Sequence, residues 1–274
     1  MSFDGLRILS LESRRAEEIA ELIRRQGGNP FVAPSMREIP VDDSAPVFQF
    51  ADRLFAGQFD MMMFLTGVGT RQLNRVLSSR YPETAFANAL RKLTVIARGP
   101  KPAAALREMA VPIAVTVSEP NTWREMLAET EKRPERHVAV QEYGRPNPEL
   151  IDGLRARGAD VTSVQVYQYG LPEDAEPLRE AARLLAAGQL DVALFTTAVQ
   201  IVHLAQVARE QGIEDNVLAA LRKMWIASIG PTTTEALEEY GLHPDLEPSH
   251  PKMGFLVREA AEQAGAQPNP DRSH

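Results

Sequence analysis

The twelve residues AGQLDVALFTTA, Ala187–Ala198, decide how this chain folds, because half of them recur in register earlier in the chain. Residues Ala56–Gly67 read AGQFDMMMFLTG, at an offset of 187 − 56 = 131. Over the first eleven pairs, Ala56, Gly57, Gln58, Asp60, Phe64 and Thr66 match Ala187, Gly188, Gln189, Asp191, Phe195 and Thr197. Ordinary amino-acid usage gives about one such match by chance. Each copy runs from a polar turn at Gly-Gln-x-Asp into a short apolar segment, Met61–Leu65 or Val192–Phe195, and ends at a threonine. A short apolar run bounded by turn signals suits a strand buried on both faces of a parallel sheet. Threonine is a favoured N-cap for a following helix. Thr66 and Thr197 are therefore expected at the carboxyl ends of strands, where open α/β sheets bind their ligands.

The repeat extends outward from these stretches. Arg14, Glu18 and Arg24 coincide with Arg145, Glu149 and Arg155, and Leu73 with Leu204. Gly99-Pro100 coincides with Gly230-Pro231, and Ala105, Leu106 and Glu108 with Ala236, Leu237 and Glu239. One offset thus holds from residue 14 to residue 239, which reads as an internal duplication of about 1–131 and 132–262. Strands are expected at 6–11, 31–34, 93–97, 113–116, 137–141, 161–166 and 225–229 as well as in the two central stretches. Helices are expected over 14–26, 45–56, 100–109, 121–131, 146–157, 175–187, 232–240 and 252–263. Ser13 is the expected N-cap of the first helix, and Asn147 with Pro148 opens another. Ser35–Val41 and Gln165–Pro172 are extended and partly polar, and read as crossings between domains. The polar, proline-bearing tail 265–274 is expected to be disordered.

Composition bounds the function. With 274 residues, 44% hydrophobic and 24% charged, two α/β domains are the natural reading. The chain has no cysteine, which removes disulfides, thiolate zinc sites and thiol nucleophiles. A net charge of −7 argues against a nucleic-acid partner. No run of about 18 apolar residues suggests a membrane span, and the opening MSFDGLRILSLESRR lacks a secretory pattern, so a cytoplasmic location is expected. The five histidines show no helical i, i+4 pairing, so no metal site is expected, and His203 reads as a packed or surface residue. Thr66-Gly67-Val68-Gly69 is half of a dinucleotide loop without its third glycine.

What recurs is a strand end followed by small or hydroxyl residues at a helix start: Thr66–Gly69, Arg98–Lys101, Thr196–Ala198 and Gly230–Thr234. Exposed first-turn N–H groups and the helix dipole make such places anion sites, although simple capping explains any one of them. Thr232 and Glu235 also have capping-box spacing. Tyr167 and Tyr169 lie in the second crossing, where a phenol can serve a site or merely pack.

At these residues the chain resembles the uroporphyrinogen-III synthase family. The resemblance covers about residues 4–262 and rests on Thr66–Gly69, Tyr143-Gly144-Arg145-Pro146, Val166-Tyr167-Gln168-Tyr169, Phe195–Ala198 and Ile229-Gly230-Pro231-Thr232-Thr233. It implies an α/β fold of two parallel-sheet domains, flavodoxin- or Rossmann-like halves, joined by a two-stranded ladder, with the active site between them. It also implies domains built across the duplication: residues 1–36 with 171–264, and residues 40–167. The implied substrate is hydroxymethylbilane, four linked pyrroles each bearing two carboxylates. It is cyclised with inversion of the last ring through a spiro intermediate, with loss of water and without a cofactor. By motif match Tyr167 is the catalytic residue that assists departure of the hydroxide. Thr66, Gly67, Val68, Gly69, Tyr143, Thr196, Thr197, Ala198, Gly230, Thr232 and Thr233 form the implied substrate-binding set, with Arg98 and Lys101 adding charge. Arg98 departs from the family pattern, in which an apolar residue often precedes Gly-Pro, and the Ser249–Lys252 stretch aligns no clear small hydroxyl. No long exposed apolar stripe stands out, so a monomer is expected. The rival reading is a non-catalytic two-lobed sensor or regulator that closes on a carboxylate or tetrapyrrole ligand.

Overall fold

The computed structural model describes residues 2–264 apart from 42, 43, 143, 145 and 146, and at 40 the backbone alone. The expected tail, 265–274, lies outside the described residues. In chain order the elements are β1 (Arg7–Ser10), α1 (Ala16–Arg25), β2 (Asn29–Val32), β3 (Arg37–Pro40), α2 (Ala45–Phe55) and β4 (Met61–Phe64). They continue with α3 (Gly67–Ser78), α4 (Ala85–Leu90), β5 (Thr94–Ala97), α5 (Pro100–Glu108), β6 (Val115–Thr116) and α6 (Trp123–Thr130). Next come β7 (His137–Gln141), α7 (Pro148–Ala156), β8 (Asp160–Val164), β9 (Tyr167–Gly170), α8 (Glu176–Ala186) and β10 (Val192–Phe195). The chain closes with α9 (Val199–Glu210), α10 (Glu214–Lys223), β11 (Trp225–Ser228), α11 (Pro231–Glu238) and α12 (Met253–Ala264).

The chain divides into two compact units, 2–37 with 170–264, and 38–169. The first holds a parallel sheet in the order β11-β10-β1-β2, the second a parallel sheet in the order β6-β5-β4-β7-β8. The crossings 35–41 and 165–172 supply β3 and β9, which pair as a two-stranded sheet.

The two repeated stretches, β4 and β10, lie inside their sheets and are buried along their whole length. Burial on both faces is what their unbroken apolar sequences require. In the first unit, Leu9, Ala193, Phe195 and Ile226 pack with α8, α9, α10 and α11. The alternate residues Ile8, Val192, Leu194 and Ala227 pack with α1 and α12 on the opposite face. This is the period of two expected of a strand with helices on both sides.

The spacing of 131 reappears in the pairing. β10 follows β4 (192 − 61), β11 follows β5 (225 − 94) and β2 is followed by β8 (160 − 29), and corresponding strands have corresponding neighbours. Even the isolated bridge Ala227–Leu246 repeats the Ile96–Val115 pair. β1 and β7 correspond one residue out of step, at 137 − 7 = 130, which makes Glu142 the counterpart of Glu12 in the register.

Local chemistry corrects several expected boundaries. Ser13 does not cap α1. Its Oγ accepts the N–H groups of Ser35 and Met36 at 3.0 Å, and the carboxylate of Glu12 accepts the backbone N–H groups of Arg14 and Arg15 at 3.0 and 3.2 Å instead. Helix α6 begins at Trp123, not Asn121, because Asn121 sits at φ 59° and Thr122 forms the capping box with Glu125. The expected box of Thr232 and Glu235 is not made. Pro231, with no N–H and a fixed φ, takes the first helical position, so Gly230 becomes the N-cap of α11. Helices α4 and α10 were not among the expected elements.

Candidate functional site at the strand ends

Each unit carries its own set of strand ends. In the second unit, β4 runs through Leu65 to Thr66, whose extended backbone (φ −142°, ψ 146°) and side chain cap α3, with Oγ1 accepting the N–H of Gly69 at 3.0 Å. The hydroxyl of Tyr167 lies 3.1 Å from the same Thr66 oxygen. Tyr167 is 2% exposed, and its ring meets that of Tyr169 edge-on at 5.5 Å. From the head of β7, the buried Gln141 accepts the Thr66 N–H at 3.4 Å and donates to the carbonyl of Glu142. The Glu142 carboxylate accepts the N–H of Asn147 at 3.1 Å, ahead of α7, where Asn147 is the N-cap.

Three glycines fix this geometry. A Cβ on Gly67 would stand 2.6 Å from the carbonyl oxygen of Lys101, so α3 begins in direct contact with the first turn of α5. A Cβ on Gly69 would stand 2.0 Å from the Gln141 amide nitrogen and 2.8 Å from Thr66 Oγ1. A Cβ on Gly144 would stand 2.2 Å from the ring of Tyr169. Val68 and Arg98 are half-buried and Lys101 is exposed. Gly67 and Val68 occupy the first two positions of α3, where N–H groups have no acceptor within their own helix. Tyr143 lies outside the described residues.

In the first unit, the head of β10 is arranged differently. Ala198 is the N-cap of α9 and has no side chain to cap with. The fully buried Gln200 instead folds back on the turn that leads into the helix: its carbonyl oxygen accepts the N–H groups of Thr196 and Thr197 at 2.7 and 3.3 Å, and its amide donates to Thr196 Oγ1 at 2.8 Å. Thr196 in turn donates its hydroxyl hydrogen to Glu12 at 2.6 Å. Glu12 therefore ties the heads of β1 and β10 together, and the Thr196 hydroxyl is occupied within the protein. Thr197 and Thr232 are half-buried, whereas Ala198, Gly230 and Thr233 are buried. Thr234 donates its hydroxyl to Glu247, and Ser249 gives both its N–H and its hydroxyl to Glu259.

His203 sits on α9, 6% exposed, and its Nδ1–H donates to the carbonyl of Ser35 at 2.7 Å. Burial pushes its pKa below the ordinary histidine value and outweighs the hydrogen bond, which pulls the other way. It is a packed residue, one of the two readings the sequence allowed. Among the described residues, no group of three or more histidine and carboxylate side chains is placed to hold a metal ion, and no helix is long and apolar enough to cross a membrane.

The sequence reading misses Glu12, Gln141, Gln200 and Gly144 as shaping residues. Gln141 and Gln200 carried a legible signal, each being a lone amide in a largely apolar run, VAVQ and VQIV. Burial obliges such a group to find partners.

The arrangement defines a class: a parallel-sheet α/β protein in two units, with hydroxyl and main-chain donors at the carboxyl ends of its strands. The model of the uroporphyrinogen-III synthase HemD family matches residues 17–258, and the chain belongs to that family. The uncharacterized protein YjjA of Bacillus subtilis is 29% identical over 261 residues, 94% of this chain and 95% of its own length. A mutant uroporphyrinogen III synthase from the extremely thermophilic bacterium Thermus thermophilus, known from a crystal structure, is 25% identical with a TM-score of 0.70, over 95% of this chain and 98% of that one. The uroporphyrinogen-III synthetase of Helicobacter pylori, 16% identical with a TM-score of 0.50 over 93% of this chain and 98% of that one, shares the fold.

Proposed function

We propose that this chain cyclises hydroxymethylbilane to uroporphyrinogen III, as a cofactor-independent lyase in the cytoplasm. The observation that carries the reading is the Tyr167 hydroxyl 3.1 Å from Thr66 Oγ1, at the strand end that caps α3. Loss of the substrate's hydroxyl needs a proton donor near the departing oxygen, and a phenol held at that place supplies one. The pyrroles provide the electrons for each carbon–carbon step, so the protein's tasks are orientation, anchoring and charge stabilisation.

In the second unit, the N–H groups of Gly67 and Val68 are donors for substrate carboxylates, with Arg98, Lys101 and Tyr143 as further binding groups and Gly69 keeping the turn open. In the first unit, Thr197, Gly230, Thr232 and Thr233 take the same task. Thr196 and Ala198 shape that helix start through the main chain, since the Thr196 hydroxyl already serves Glu12. The repeated strand order at a spacing of 131 supports a doubled origin for the two units.

The test is to supply purified protein with enzymically generated hydroxymethylbilane and to resolve the oxidised porphyrin isomers. Type III product above the spontaneous background is expected. Type I product alone would refute the reading and leave the non-catalytic carboxylate-binding protein in its place.

A further inference from the structure

We propose that the second unit binds a small hydrogen-bearing oxyanion, of the hydrogen phosphate kind, in a polar cavity at the amino ends of β4 and β7. The cavity measures about 50 Å³ and is lined by Met61 and Val138, at the start of those strands. Within the unit this is the opposite end of the sheet from Thr66, so the site is separate from the synthase reading. Among the described residues, the buried side-chain atoms without a hydrogen-bond partner are Asn74 Oδ1, Arg133 Nε and Glu135 Oε2. Arg133 and Glu135 both line this cavity. One orphan is a donor and the other an acceptor. Burial without a partner is costly, so a donor and an acceptor left beside one cavity point to a ligand that satisfies both.

In the first unit the corresponding space is filled with hydrocarbon. At the offset of 130 that relates β1 to β7, Phe3 corresponds to Arg133 and Ile8 to Val138. At 131, Val192, Ile23 and Gly28 correspond to Met61, Leu154 and Ala159. The backbone agrees: Asn29 donates its N–H to the Leu6 carbonyl at 2.8 Å, and Asp160 donates to that of Arg136 at 2.7 Å. Phe3 is fully buried and packs with Ile8, Ile23 and Val192, and a Cβ on Gly28 would stand 2.9 Å from its ring. Packing asks for no more than this. The second unit has a guanidinium, a carboxylate and open space instead.

The lining selects the ligand. Arg133, Arg136 and Arg157 against Glu131 and Glu135 leave one net positive charge, 3 − 2 = 1, which favours an anion. Arg157 is fixed by the Leu127 carbonyl and by Thr130 Oγ1, the latter at 3.1 Å. Glu135 Oε1 accepts the Thr94 hydroxyl at 2.5 Å, which leaves Oε2 as the acceptor. Guanidinium groups suit oxyanions, but the Glu135 carboxylate repels any anion that brings no hydrogen to it. Hydrogen phosphate both accepts and donates, whereas sulfate at neutral pH only accepts. One water needs roughly 10–15 Å³ of such space, so the cavity admits three or four groups of that size, as many as one tetrahedral oxyanion presents.

Isothermal titration of the full chain with inorganic phosphate, and separately with sulfate, at pH 7 and fixed ionic strength tests the site. Phosphate should bind one to one and about 10-fold or more tighter than sulfate, the difference made by one charge-assisted hydrogen bond. Glu135→Gln offers an amide that can donate to sulfate, and should abolish the preference. Arg133→Phe installs the residue of the first unit and should abolish phosphate binding, and Arg133→Gln should weaken it if the larger change prevents folding. Equal affinity for the two anions in the parent chain, or a preference that survives Glu135→Gln, would overturn the proposal. So would phosphate binding unchanged by the Arg133 variants, which would place the ion at the helix starts. No binding at millimolar phosphate would overturn it too and leave ordered water as the occupant. None of these outcomes alters the expected type III product, which is measured separately.

Discussion

Replacing Gly69 with alanine opposes a known local gain to a specific steric cost, and the structure decides which wins. Alanine in place of glycine inside a helix stabilises it by up to about 1 kcal/mol. At Gly69 the added methyl would lie 2.0 Å from the Gln141 amide nitrogen, 2.6 Å from its carbonyl carbon and 2.8 Å from Thr66 Oγ1. Gln141 is fully buried and its amide is bonded at both ends, to Glu142 and to Thr66. Swinging it aside strands buried polar groups at about 1–3 kcal/mol each, and disturbing the Thr66 cap costs about 1 kcal/mol more. The net expectation is a loss of about 2–4 kcal/mol, or a fall of roughly 1–2 M in the urea midpoint at a slope near 2 kcal/mol per M. Each unit holds one tryptophan, Trp123 in the second and Trp225 in the first, so a Trp225→Phe background lets fluorescence follow the affected unit alone. Gly254→Ala is the matched control. Nothing lies within 4 Å of its new methyl, at the start of α12, and it should gain a few tenths of a kcal/mol. A Gly69→Ala midpoint equal to or above that of the parent would refute the steric argument.

Asp60 offers a test of linkage. The N–H of His137, then that of Arg136, holds its pKa below the ordinary 3.8, against a smaller opposing effect of burial. Because the folded-state value is depressed, its contribution is complete above about pH 4 and disappears as pH falls through the folded value. Asp60→Asn should lower the urea midpoint at pH 7, with the gap to wild type narrowing as pH falls below 4, and a gap independent of pH contradicts this. Gly144→Ala should force the Tyr169 ring off Tyr167, weakening the near-ultraviolet dichroism of the pair and destabilising the second unit by about 1–3 kcal/mol. An unaltered spectrum with unaltered stability would show that the ring has room to move.

The parallel strands were the legible part of this chain. Met61–Phe64 and Val192–Phe195 read correctly because a strand covered on both faces can use only apolar residues, and turn residues bound them at each end. Helix starts were less legible, since capping is a competition among neighbours. Ser13 has the right chemistry but is taken by the backbone of Ser35 and Met36, while the longer Glu12 reaches the helix start from further back. Thr232 likewise follows a proline that has already opened the helix. At the site, residue types recurring at strand ends could be read from spacing. Partnerships such as Thr196 with Glu12, 184 positions apart, exist only once the strands are adjacent. The pairing of Tyr167 with Thr66, 101 positions apart, is of the same kind.

The place of β1 in its sheet has a consequence for how the chain is made. Its neighbours are β2, which follows at once, and β10, whose first residue comes 192 − 10 = 182 positions after Ser10. At about 5–20 residues per second of synthesis, that partner arrives roughly 10–35 s later. All of residues 38–169 emerge from the ribosome in the interval. A nascent chain therefore carries an unpaired RILS edge throughout that interval, and a chaperone that shields such edges has its opportunity there.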